Sequence, residues 1–76
     1  NGWVGTITIF NTNGSEVKKI ANNKLLSPSD ILIWDGLDEE GQRCNIGHYI
    51  VLLSAFNNQG KTISQKEIVN LLDAIR

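Results

Sequence analysis

The residues equipped for chemistry crowd into one stretch of the chain. Asp35, Asp38, Glu39 and Glu40 lie close together, and Cys44 and His48 follow. A compact run of carboxylates is what a hard cation such as Ca²⁺ seeks, because it takes several oxygen ligands from a short segment. The spacing differs from that of an EF-hand, and the alternating Asp/Asn ligands of such a loop are absent. The plainer reading is conformational. Asp35 bonds nearby backbone N–H groups in an Asx-type turn, Asp38 and Gly41 shape a second turn, and the two glutamates are solvated. His48 is the only histidine. Paired with Asp35 or Glu40 it would make a general acid–base couple, but no G-x-S-x-G elbow and no second histidine accompanies it. Cys44 follows Arg43. A neighbouring cation lowers a thiol pKa, yet adjacency in sequence does not establish contact, and a structural cysteine is the expected role. No catalytic residue, metal ligand or cofactor-binding residue is therefore assigned, and no cofactor is expected.

Trp3, Trp34 and Tyr49 would suit a platform for sugar rings. Trp34 and Tyr49, however, fall in phase with Leu32 and Val51, which places them in a core. Trp3 stands apart, either on that core or at a partner surface. Lys18, Lys19 and Lys24 form a basic cluster with Glu16 beside it, and a solvated strand face explains them. The glycines lie at separate turns and form no phosphate-cradling loop.

Composition sets the outer bounds. With 76 residues the chain is one domain, residues 1–76, and its core is thin. A formal net charge of −1 gives no electrostatic footprint for nucleic acid or an anionic membrane. No segment has the ~20 consecutive apolar residues of a membrane helix. One cysteine excludes an internal disulfide. The chain opens at Asn1 and contains no methionine, so it is read as a piece of a longer protein.

These residues must be positioned by strands. Val4 to Phe10 alternates, with Ile7 and Ile9 on one face and Thr6 and Thr8 on the other. Asn11-Thr12-Asn13-Gly14 is a hairpin signal. Ser15 to Ala21 returns as a polar strand; Val17 and Ile20 break strict alternation, the mark of a bulge or an edge. Asn22 to Asp30 reads as a loop containing Pro28, and Ile31 to Trp34 as a short strand. His48 to Phe56 is apolar on both faces: Tyr49, Val51, Leu53 and Ala55 on one, Ile50, Leu52 and Phe56 on the other. Such a strand is central, with a layer on each side. Asn57-Asn58-Gln59-Gly60 is a second hairpin turn, and Lys61 to about Leu71 the last strand. Beyond it, the chain to Arg76 extends the strand or turns into a short helical end. About five strands are fewer than the ~7 of a common sandwich. Ile50 and Leu52 thus need cover that strand addition from a neighbour would supply.

Trp34-Asp35-Gly36, Asp38, Gly41, Gly47 and Tyr49 resemble the signature of the Ig-like domain named after the flagellar hook-capping protein (the FlgD-like Ig domain). Ile7-Thr8-Ile9-Phe10-Asn11, with Gly14 and Val17, is similar to that family's preceding hairpin, where an Asp often stands at the position of Asn11. The resemblance runs from about Gly5 to Leu72. It implies a small antiparallel Ig-like β-sandwich at the C-terminal end of an exported bacterial protein, used for sorting or anchoring at the cell surface. Such domains begin a strand or two earlier, so the resemblance also implies a sandwich lacking its first one or two strands.

The expectation is a non-catalytic accessory module making protein contacts for anchoring, sorting or assembly. The expected partners are other domains of the parent protein, or a second copy in a homodimer formed by strand addition, with no nucleic acid and no membrane insertion. Its expected location is the cell surface, the periplasm or the extracellular space. Trp34, Asp35, Gly36, Asp38, Gly41, Gly47 and Tyr49 form its structural motif. The alternative is a carbohydrate-binding accessory module of a secreted enzyme.

Overall fold

The computed structural model describes residues 2–27 and 33–72. They form an all-β structure of four antiparallel strands and, among the described residues, no helix. The strands are β1 (Trp3–Phe10), β2 (Glu16–Leu26), β3 (Gly47–Asn57) and β4 (Thr62–Leu71). They make one sheet in the order β2-β1-β3-β4. β1 and β3 are central, as their β-branched and apolar content demands. The connection from β2 to β3 crosses over β1.

Residues opposite one another on an antiparallel ladder share a face. Ile9 stands opposite Val51, Ile7 opposite Leu53 and Gly5 opposite Ala55. Across the next ladder Tyr49 meets Val69 and Ala55 meets Ile63. This Tyr49 face holds the buried core: Ile9 (1% exposed), Ala21, Tyr49 and Ala55. The other face carries Val4, Thr8 and Phe10 of β1 against Phe56, Leu52 and Ile50 of β3, with Ile68 of β4 opposite Ile50 and Leu25 of β2 opposite Val4. The two faces expected for the third strand are thus those observed.

Two expectations are corrected. The stretch Asn22 to Asp30 is not all loop: β2 continues through Asn22 to Leu26, while Pro28 and its neighbours lie outside the described residues. The physical reason is a bulge. Between Gly5/Lys24 and Ile7/Ala21 the register slips by one residue, Asn23 takes φ 52°, and its amide donates to Thr6 Oγ1 at 3.1 Å. A polar Asn pair that reads as loop is here the chemistry of a bulge. The short strand expected over Ile31 to Trp34 is also absent where it can be seen, since Ile33 and Trp34 lie outside every strand. Ile31 and Leu32, like residues 73–76 beyond the last strand, lie outside the described residues. With one sheet among the described residues, a second sandwich layer is not part of the fold described.

β2 has 11 residues against 8 in β1, and the register slips at three places, each time with the extra residue on β2. The interrupted spacing of Val17 and Ile20 reports this bulged edge strand. β3 and β4, by contrast, pair without a slip from Gly47/Leu71 to Phe56/Thr62.

Candidate functional site

The stretch from Trp34 to Tyr49 builds a small hairpin and packs it on the Tyr49 face. Cys44 N–H donates to Gly36 C=O at 2.9 Å, Leu37 bridges Arg43, and Asp38 N–H donates to Gln42 C=O at 2.9 Å. At the tip Gly41 N–H donates to Asp38 C=O at 3.0 Å, with Gly41 at φ 80°. The Asp38 carboxylate accepts the amides of Glu40 and Gln42, each at 2.9 Å. Asp35 Oδ1 accepts the Leu37 amide at 3.0 Å, the geometry of an Asx turn.

The same tip occurs twice more. Asn11 Oδ1 accepts the amides of Asn13 and Ser15, and Gly14 N–H donates to Asn11 C=O. Asn57 Oδ1 accepts those of Gln59 and Lys61, and Gly60 N–H donates to Asn57 C=O. In all three, a short Asx side chain opens the turn and a glycine three residues on adopts positive φ (86° and 81° at Gly14 and Gly60). Asn13, the Asn of the Asn-Gly pair, is not among the residues with positive φ, so the first hairpin is closed by Asn11 and Gly14 and not by a two-residue Asn-Gly loop. The shared spacing, Asx-x-x-Gly, is a signal that sequence alone carries.

Two rings fix the hairpin to the sheet. Trp34 meets Tyr49 edge to face, with centroids 5.1 Å apart and planes at 69°. The Trp34 indole N–H donates to Leu37 C=O at 2.9 Å, and the Tyr49 hydroxyl donates to Asn45 C=O at 2.6 Å. Each ring thus buries its apolar body and places its polar handle on a backbone carbonyl. Gly36, at φ 80°, lets the hairpin settle over Leu71, where an added Cβ would stand 3.2 Å from Leu71 Cδ1. Gly47 begins β3 at φ 145°.

The acidic residues have separate duties. Glu39 is not simply solvated: its Oε2 accepts the Lys19 amide of β2 at 2.8 Å. Glu40 is exposed, and so is His48, on the face opposite Tyr49. Lys19 also pairs with Glu16 at 3.0 Å on the surface, which contributes little. Cys44 is half-buried; burial first, and then the Asp38 carboxylate, push its thiol pKa up, although contact with the Tyr49 hydroxyl acts the other way. Burial likewise raises Tyr49, and Cys44 adds to it. A thiol held toward its neutral form is a poor nucleophile.

An open depression of about 840 Å³ lies between the Asn11 hairpin tip and the Trp34 hairpin, lined by Asn11, Glu16, Asp38, Glu40, Arg43 and His48 among others. Among the described residues no group of three His, Cys, Asp or Glu side chains is placed to hold a metal ion. The aromatics form no row: Trp34 and Tyr49 are spent on each other, Trp3 and Phe56 lie on opposite faces of the sheet, and Phe10, on the Phe56 face, stands opposite Ile50 at the far end of β1. Among the described residues no helix is long and apolar enough to cross a membrane.

No protein-family model, curated protein or solved structure matches this chain.

Proposed function

We propose that this chain is a non-catalytic Ig-like accessory module of an exported bacterial protein, similar to the hook-capping-type domains, and that it makes protein contacts for anchoring, sorting or assembly. The observation that carries the proposal is the inequality of the two sheet faces. The Tyr49 face is covered at one end by the Trp34 hairpin and at the other by Leu26, whose side chain lies over Gly5. The Ile50 face mixes apolar side chains with Thr6, Thr8 and Ser54, and it keeps Phe56 48%, Leu25 69% and Ile68 72% exposed, against Ile63 at 42% on the Tyr49 face. Covering side chains of this size stabilises by roughly 1.5–3 kcal/mol each when burial is complete. Exposed large apolar side chains grouped as Leu25 and Phe56 are, on either side of Val4, mark a contact surface.

Two further observations support the Ig-like reading. The Tyr49 hydroxyl bonds a backbone carbonyl a few residues upstream, as the tyrosine corner of Ig domains does. The residues of the Trp34-Asp35-Gly36 motif hold the connection between β2 and β3 together. The occupant proposed for the Ile50 face is another part of the parent protein, in the place of the sandwich layer that the resemblance implies. The carbohydrate-binding alternative lacks a row of exposed aromatics.

Limited proteolysis of the full-length parent protein tests the proposal. Phe56→Asp, at an exposed position, should leave this module folded but expose the junction with its neighbour to cleavage. An unchanged digestion pattern would contradict it.

A further inference from the structure

The two edges of the sheet differ in their capacity to accept another strand, and this goes beyond the contact face proposed above. Edge strands present unpaired backbone groups, and proteins blunt them with bulges and lysines. β2 is blunted in both ways. It carries three register slips, Lys18, Lys19 and Lys24, and an amide already given to Glu39. β4 has none of these slips: its 10 residues run in unbroken register with β3, and among the described residues its outer edge pairs with no strand.

We infer that β4 pairs antiparallel with β4 of a second copy, so that two chains form a closed dimer with one continuous sheet. A second copy is the occupant the edges favour. Head-to-tail growth would need β4 to dock on β2, which the bulges and the Glu39 contact oppose, so pairing of like edges stops at two. The net charge of −1 leaves little repulsion between copies.

Side-chain chemistry narrows the register, and the exposed Ile68 favours one axis. In a two-fold antiparallel pair each residue on the axis faces its own copy. An axis through Lys66 or Glu67 would oppose like charges, which destabilises. An axis through Ile68, 72% exposed on the Ile50 face, sets isoleucine against isoleucine, Lys66 against Asn70 and Glu67 against Val69. Each charge then faces an uncharged side chain.

Light scattering during size-exclusion chromatography of the Cys44→Ser chain tests this at about 100 µM, where a micromolar dimer is nearly complete. The expected mass is twice the 8.4 kDa of one chain. Ile68→Lys should restore the single-chain mass without unfolding, because Ile68 is exposed, whereas Phe56→Asp should leave the dimer intact. In the same Cys44→Ser background, Ile68→Cys should cross-link on mild oxidation and Gln65→Cys should not. A monomer at this concentration would overturn the inference. So would a dimer that survives Ile68→Lys, or one that Phe56→Asp dissolves. Failure here leaves the contact face at Phe56 and Leu25 untouched, and failure of that face leaves the edge pairing untouched.

Discussion

Glu39 Oε2 accepts the backbone amide of Lys19 at 2.8 Å, tying the tip of the Trp34 hairpin to the bulged edge strand β2. One end of this contact is a charge and the other is a strand amide that would otherwise look to solvent. Hydrogen bonds to charged groups contribute about 1.5–3 kcal/mol when well shielded, and this one is exposed, so its contribution falls below that range. Glu39→Ala should destabilise the chain by about 1 kcal/mol in urea unfolding and accelerate exchange of the Lys19 amide. Glu39→Gln, which keeps an acceptor oxygen, should recover most of the loss. Unchanged Lys19 exchange in Glu39→Ala would show that the contact is not populated in solution.

The Trp34 ring fills the space between hairpin and sheet. Removing a large aromatic from packed surroundings costs about 3–5 kcal/mol, and Trp34 is half-buried, so Trp34→Ala should lose about 3 kcal/mol. That is a large share of the stability of so small a domain. Trp34→Phe keeps a ring against Tyr49 but not the indole N–H to Leu37, and should cost about 1 kcal/mol more than a fully satisfied site. An unchanged midpoint of chemical unfolding in Trp34→Ala would remove the ring from the core.

The three repeated turns supply their own control. Asn11 and Asn57 perform with an amide oxygen what Asp38 performs with a carboxylate. Asp38→Asn should therefore be nearly neutral, within about 0.5 kcal/mol, whereas Asp38→Ala leaves two amides without their acceptor and should cost about 1–2 kcal/mol. Gly41→Ala meets open space but a φ of 80°, so backbone strain alone should cost about 1 kcal/mol. Thermal unfolding of the three variants side by side checks the order.

Alkaline pH should weaken the fold. Burial raises the Cys44 thiol above its ordinary 9.0 and the Tyr49 phenol above its ordinary 10.0. A raised acid pKa means that the folded state holds its proton longer than the unfolded state. The stability is therefore full below the ordinary values and is lost as pH rises through the raised ones. Unfolding free energy should fall from about pH 9 upward, with Cys44→Ala removing the earlier part of the decline. A flat profile from pH 8 to 11 in the unmodified chain would contradict this.

Strand identity was legible wherever alternation was strong. Ile7/Ile9 against Thr6/Thr8, and the two apolar sets of β3, each specify faces that the ladders reproduce. β2 was legible only in part. Its bulges break the period of two, and Asn22-Asn23, which prefers turns, closes one of those bulges through Thr6. The turns were legible in place but not in type, because the eye goes to Asn13-Gly14 while the working pair is Asn11 and Gly14. Among the acidic residues, the turn chemistry of Asp35 and Asp38 follows from local spacing. The Glu39–Lys19 bond does not, since it joins groups 20 residues apart and depends on where the hairpin lands.

The contact surface proposed above is the Ile50 face, covered by another part of the protein in which this module works. Hydroxyl-radical footprinting of the full-length protein, compared with this chain alone, measures it directly at Phe56 and Leu25. Neither residue belongs to β4, and both are well exposed in the single chain. Strong labelling of both is expected in the isolated chain, and marked protection of both in the full-length protein. Equal labelling in the two would mean that the face stays open to solvent and that the module does not make its contacts there.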